Sequence, residues 1–333
     1  MPGLALLAYI ARRLLVSVPV LVGSSMLVFV IGKVIGDPLE PLKLRNPPVP
    51  RQTLLLEEHR LRLDRSWPEQ YWLWLKGLVL HGNFGPSVHA TDNIGSDLGG
   101  ALWVTLRLVV VSAIAALLLA ILTGVISAIR QYSRFDYATT FLTFLFFSMP
   151  AFWFAALLKS AGIWYNQNVS AGTFYTIGDH SVVLTDTSFW GRSVDVAGHL
   201  VLPTVALALA VYGGWTRFAR ASVLEVMNSD YVRLARAKGL RAGRVLVRHT
   251  LRNALIPLTT SAALDTAFLL SGAIVIETVF QWHGMGALFA TGLRDIDVYL
   301  LMGWLLVTGV IIIVFNLFAD LLYGILDPRI RLG

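Results

Sequence analysis

Six stretches of this chain are apolar for about the length a hydrocarbon layer demands: residues 14–31, 108–126, 137–158, 200–215, 255–276 and 300–319. A helix rises about 1.5 Å per residue, so roughly 20 apolar residues cross the hydrocarbon core of a bilayer. The runs are apolar on every side and rich in Leu, Ala and Val. They exclude a water-soluble globule, and equally a spanning barrel, whose strands alternate over about 10 residues. Composition agrees: 56% of the 333 residues are hydrophobic and 14% are charged, where soluble domains carry roughly 25% charge. The expected fold is an all-α membrane protein with six transmembrane helices. Run 200–215 is the shortest, and unless it begins before His199 it needs tilt or a thinned bilayer.

Arg12 and Arg13 give the first run the basic start of a signal peptide. Gly32-Lys33-Val34 offers no small-residue cleavage pattern behind it, so the run is read as a retained helix. With the amino terminus placed in the cytosol, segments 1–13, 130–136, 216–254 and 324–333 lie inside and carry 15 Lys/Arg against 4 Asp/Glu. The outer segments 32–100, 166–198 and 281–299 carry 10 against 13. Basic residues are retained on the cytosolic side during insertion, so both termini are expected inside. The net charge of +7 follows from that retention, which removes the case for nucleic-acid binding. Zero cysteines exclude disulfides, thiolate metal sites and cysteine nucleophiles.

The chain divides at residue 100. Residues 1–100 hold the first helix and a long extracytoplasmic loop, and 101–333 a five-helix core with a basic cytosolic loop, 216–254. The outer loop starts with Pro38, Pro41, Pro47, Pro48 and Pro50, which break helix. Its aromatic cluster, Tyr71, Trp72 and Trp74, suits a helix at headgroup level.

Loop 216–254 gathers nine of the 27 basic side chains in 39 positions. Its pattern predicts a helical hairpin. Asn228, Ser229 and Asp230 supply cap chemistry for a helix over 230–238, with Arg236 and Lys238 in the last turn and Gly239 free to take the left-handed conformation that ends it. A second helix over 242–253 places Arg241, Arg244, Arg248 and Arg252 on one face and Val247, Leu251 and Leu255 on another. Two readings stay open on the residues alone. The loop is a solvated basic segment on anionic lipid, at about 1 kcal/mol per basic residue, or it docks a partner through a ridge of Tyr231, Leu234, Ala235 and the Lys238 stem.

Inside the runs, ionisable groups are costly and mark pathways or internal pairing. Arg107 and Lys159 lie near outer ends, where they can snorkel, and Asp320 lies toward the cytosolic end of the last run. Asp265 is ten residues into run 255–276, roughly 15 Å along the helix. It lines a path or makes a structural hydrogen bond. Pro150, with Ser148, Met149, Phe152 and Trp153 around it, should kink its helix; Met149, Phe152 and Trp153 are path-lining candidates or packing. No Gly-x-x-x-x-Gly-Lys-Ser/Thr phosphate loop, His-Glu-x-x-His zinc helix or Gly-x-Ser-x-Gly elbow occurs. Nucleotide chemistry by the first device is therefore absent, and a membrane hydrolase fits poorly. A proton-coupled secondary transporter using Asp265 is the alternative to a partner-driven one.

The run Leu224-Glu225-Val226-Met227-Asn228-Ser229-Asp230-Tyr231-Val232-Arg233-Leu234-Ala235-Arg236-Ala237-Lys238-Gly239-Leu240, then Arg248-His249-Thr250-Leu251-Arg252-Asn253-Ala254-Leu255-Ile256-Pro257, resembles the coupling loop of permease subunits in bacterial ABC importers of the dipeptide/oligopeptide/nickel group. The likeness continues in Arg12-Arg13-Leu14-Leu15, Gly36-Asp37-Pro38, Gln70-Tyr71, Gly82-Asn83-Phe84-Gly85, Phe280-Gln281-Trp282-His283-Gly284-Met285-Gly286 and Leu326-Asp327-Pro328-Arg329-Ile330-Arg331. Where the general importer pattern has Glu-Ala-Ala, this chain has Arg233-Leu234-Ala235, which implies a different salt-bridge pattern. His283 stands where the peptide group often has proline.

The resemblance implies a type I importer permease fold in the bacterial inner membrane, not itself catalytic. It assigns ATPase coupling to Asp230, Tyr231, Leu234, Ala235, Ala237, Lys238, Gly239 and Leu240. It implies no cofactor on this chain, with ATP and magnesium on partner subunits. The implied partners are a second homologous permease, two cytosolic ATPases, an extracytoplasmic solute-binding protein and membrane lipid. Cargo is left open among dipeptides, oligopeptides, nickel chelates and similar solutes.

Overall fold

The computed structural model describes residues 2–89, 93–183 and 186–326. The helices in chain order are α1 (Pro2–Ile35), α2 (Glu40–Lys43), α3 (Arg51–Arg60), α4 (Trp67–His81), α5 (Ile94–Ile129), α6 (Arg134–Ser148) and α7 (Ala151–Asn168). There follow α8 (Phe189–Met227), α9 (Asp230–Ala237), α10 (Ala242–Val245), a π-helical turn (Leu246–Leu251), α11 (Arg252–Phe280), α12 (Met285–Arg294) and α13 (Val298–Leu326). Five helices are long and apolar enough to cross a membrane, and there are six crossings if α6 and α7 form one. The terminal motif from Asp327 onward lies outside the described residues.

Run 137–158 differs from the expected kinked helix. It breaks into α6 and α7, which meet at 106°. Pro150 has no N–H to continue the ladder, and it pushes Met149 into the extended region at φ −83°, ψ 129°. Run 200–215 is not short in three dimensions: it is the middle of the 39-residue α8, which begins well before His199. Thinning of the bilayer is therefore not required.

The chain forms two compact units, Met1–Thr105 with His283–Ile313, and Leu106–Trp282 with Val314–Gly333. In the first, Phe29, Trp74, Leu98, Tyr299 and Met302 build a common core. The aromatic cluster on α4 is therefore divided between core and surface. Trp74 is fully buried and donates its Nε1–H to the Phe84 carbonyl at 2.9 Å, and Tyr71 meets Ser25 Oγ at 2.9 Å; Trp72 alone of the three is exposed. Asp297 caps α13 and accepts from Ser87 Oγ and the Val88 N–H at 2.8 Å each, tying the segment around Ser87 to that helix.

In the second unit, α8 packs against α6, α7 and α11. The approach is close because small residues permit it. A Cβ on Gly213 of α8 would stand 2.5 Å from the Thr143 carbonyl oxygen of α6, and one on Gly124 of α5 would stand 2.9 Å from that of Thr216.

Candidate coupling site

Residues 228–251 fold as a hairpin between the end of α8 and the start of α11. Asp230–Ala237 is helical, Lys238 leaves the helix, and Gly239 turns the chain at φ +74°. That conformation disfavours any side chain with a Cβ, which is why glycine stands here. The expected cap chemistry is absent on one count: Ser229 occupies the N-cap, but its hydroxyl donates back to the Val226 carbonyl instead of accepting from the helix.

The second arm also departs from expectation. Only Ala242–Val245 is a separate α-helical turn; it passes through the π turn directly into α11. The buried positions are Val245, Thr250, Ala254 and Leu258, so the first interval is five residues and the others four. The inserted residue rotates the face, and Val247, expected to be apolar packing, is 65% exposed. Arg241, Arg244, Arg248 and Arg252 are all exposed, as the spacing predicts.

Val232 and Ala235 of α9 pack on Val245, with Val226 and Leu240 beside them. Ala235, at 6% exposure, is therefore not part of an outward ridge, and half-buried Leu240 braces the turn from inside. Asp230, Tyr231, Leu234, Ala237 and Lys238 remain exposed. Their spacing of 1, 4, 7 and 8 from the first is one continuous helical face. Leu234 stands 56% exposed at its centre. Tyr231 also accepts from Asn253 Nδ2 at 3.2 Å, joining the two arms. Where the general pattern has glutamate, Arg233 makes an exposed pair with Asp230 at 3.8 Å.

Among the path candidates, Asp265 accepts from Trp215 Nε1 of α8 at 2.8 Å, a hydrogen bond between α8 and α11. Met149 lies in the α6–α7 break, while Phe152 and Trp153 open α7 with about half their surface exposed.

A family model described as Binding-protein-dependent transport system inner membrane component matches residues 120–332. The chain belongs to that family. The permease is also 39% identical over 328 residues to the oligopeptide transport system permease protein AppB of Bacillus subtilis, covering 97% of this chain and 99% of the relative. It is 35% identical over 325 residues to OppB of Mycobacterium bovis, an oligopeptide transport permease, with 98% and 99% covered. Against the dipeptide transport permease DppB of Escherichia coli K12 it is 34% identical over 339 residues, with 98% and 99% covered. The permease is a multi-pass inner-membrane protein and a non-catalytic component.

Two polar clusters of the permease escaped sequence reasoning. At the hairpin end of α8, Arg220 holds the Asp136 carboxylate with two hydrogen bonds of 2.8 and 2.9 Å, and Ser127 Oγ and the Tyr132 N–H donate to the same group. This joins α5, α6 and α8 where the hairpin departs. Next to it, the Arg217 guanidinium lies over the rings of Phe144 and Phe147 at 5.0 and 4.6 Å.

At the other end of α8, Arg107 binds Asp179 at 2.6 Å and lies 5.3 Å from the Trp282 ring. Asp195 accepts from the Ser181 N–H at 2.9 Å, and His199 stacks on Tyr175 at 4.1 Å. Arg107 is thus paired within the protein and does not snorkel. Lys159 likewise donates to the Val279 carbonyl at 2.7 Å. These partners are 72 and 120 residues apart in sequence, and the only cue was an ionisable residue next to an apolar run.

Proposed function

We propose that this permease carries peptides or similar small solutes inward, driven by ATP hydrolysed on separate cytosolic subunits. Its hairpin is the coupling element, and the spans alternate between inward-open and outward-open states. The observation that carries the reading is the α9 face: Asp230, Tyr231, Leu234, Ala237 and Lys238 stand exposed on a helix whose opposite side is packed by Val232, Ala235 and Val245. A supported helix with an unpaired apolar centre suits a groove in another protein.

Force applied there has two routes into the spans. α9 follows α8 after two residues, and the second arm continues without interruption into α11. Moving a population from 1:99 to 99:1 takes about 5.5 kcal/mol of differential binding. Exposed ion pairs such as Asp230–Arg233 contribute about 0–1 kcal/mol, so insertion of Leu234 and Tyr231 supplies the larger part. The relatives' names support peptides as cargo. The remaining partners are a second homologous permease and an extracytoplasmic solute-binding protein, with both termini cytosolic and ATP and magnesium on the ATPases.

Mild-detergent purification should retain the ATPase subunits, and liposomes should take up peptide only with ATP inside. Leu234→Asp or Gly239→Val should leave insertion intact yet cut ATP-driven uptake by about tenfold or more. Unchanged coupled uptake in both variants, or concentration of peptide by the isolated chain, would refute this function.

A further inference from the structure

Residues of α1, α4, α5 and α13 enclose a cavity of about 410 Å³, and every one of them belongs to the first compact unit. We propose that this cavity holds one acyl chain of a bilayer phospholipid, kept as a fixed part of the permease. The coupling hairpin plays no part in it.

The lining is apolar except for Ser25. That hydroxyl already meets the Val22 carbonyl and the Tyr71 hydroxyl at 2.9 Å each, and the Trp74 Nε1–H is taken by the Phe84 carbonyl. No group is left over to hold water, and apolar cavities stay dry and take apolar ligands. Position along the spans names the source of the ligand. The α1 wall, residues 18–25, lies in the middle of the apolar run 14–31, and the α13 wall, residues 306–311, in the middle of run 300–319. Both runs are candidate membrane spans, so the medium at their middle is hydrocarbon. Val18, Val79 and Val310 edge the mouth and are all exposed to it.

Shape separates a chain from a helix. Val18 and Ser25 are seven residues apart, about 10 Å along α1. A volume of 410 Å³ spread over that length leaves a cross-section of roughly 40 Å², whereas a helix 10 Å across needs about 80 Å². The slot is therefore too narrow for a helix of another subunit and suits an extended chain. It does not close by drawing α1 inward, because α1 and α13 already touch beside it: a Cβ on Gly309 would stand 2.7 Å from Leu21 Cδ2. The first candidate span is the least buried of the five, and a chain in the slot joins it to α4, α5 and α13.

Nanodiscs of phosphatidylethanolamine and phosphatidylglycerol, with some chains carrying a mid-chain diazirine, supply the probe. Bulk lipid labels residues in proportion to their exposure. A chain in the slot should instead place adducts on the half-buried lining residues Leu102 and Leu306 about tenfold more often than on Leu118 of α5, which is 56% exposed. Val307→Trp fills the slot and should lower those adducts about tenfold while leaving those on Leu118 unchanged. If that variant does not insert, Val79→Trp at the exposed mouth makes the same test. Native mass spectrometry after exchange into detergent should show one phospholipid retained on the wild-type chain and lost from the filled variant.

Adducts that follow exposure, with Leu118 ahead and neither tryptophan variant changing the pattern, would show that no chain enters and overturn the assignment. A photoreactive Val79→benzoylphenylalanine variant that crosslinks to a polypeptide instead of lipid would overturn it as well, since the occupant is then protein. None of these readouts requires ATP or transport, so their failure leaves the proposed function untouched.

Discussion

The two ends of α8 are both rich in charge and treat it in opposite ways. Near Phe189, the carboxylates of Asp179 and Asp195 are buried and satisfied by Arg107, Ser181 and the adjoining loop. Beyond Met227, the basic side chains of the hairpin stand in solvent, and Asp230 is fully exposed. The first end is closed on itself. The second holds its backbone firmly through Val232, Ala235 and Val245 and leaves its functional groups unspent. Internal satisfaction builds a fixed cap, and a supported face that keeps only the exposed Asp230–Arg233 pair and the Tyr231–Asn253 bond is the one proposed above for docking.

Asp179→Ala should do the most damage to the fold, because it strands the Arg107 guanidinium at a site where the side chain is 16% exposed. Breaking a buried pair on one side costs about 3–5 kcal/mol, to be read as a lowered thermal-unfolding midpoint in detergent. Survival of the midpoint would mean that this end is no more fixed than the hairpin. Trp215→Phe is next. It removes the hydrogen bond to Asp265 between α8 and α11 and should cost about 1 kcal/mol, while Asp265→Asn should keep ATP-driven uptake. Uptake lost in Asp265→Asn with stability unchanged would revive a proton-relay role. The smallest effect belongs to Arg244→Gln with Arg248→Gln, expected to change stability by less than about 0.5 kcal/mol. A loss as large as that of Asp179→Ala would erase the contrast between the ends.

Much of the hairpin was legible because its signals are local. Gly239 is read from helix-ending chemistry, and the exposed arginines follow from spacing alone. Ala235 was misread, since its direction is settled by Val245 across the turn, and helical spacing is blind to that neighbour. The π turn was likewise invisible: one additional residue between Val245 and Thr250 leaves composition unchanged and rotates every later side chain. Pro150 announced a disturbance but not its size. A missing N–H predicts a kink, and the 106° break depends on how α6 and α7 each find packing.

By itself the sequence determined that the chain is helical, that it belongs in a bilayer, where its long apolar stretches fall and where its basic loop turns. Each follows from quantities summed along neighbouring residues: transfer free energy, charge and backbone freedom at glycine or proline. The tertiary structure decided which ionisable groups are paired. Arg107 finds Asp179, Arg220 finds Asp136 and Lys159 finds a carbonyl on α11. It also decided which side of α9 is packed and which is exposed. Those outcomes depend on residues far apart in the chain, and only packing brings them within hydrogen-bonding distance.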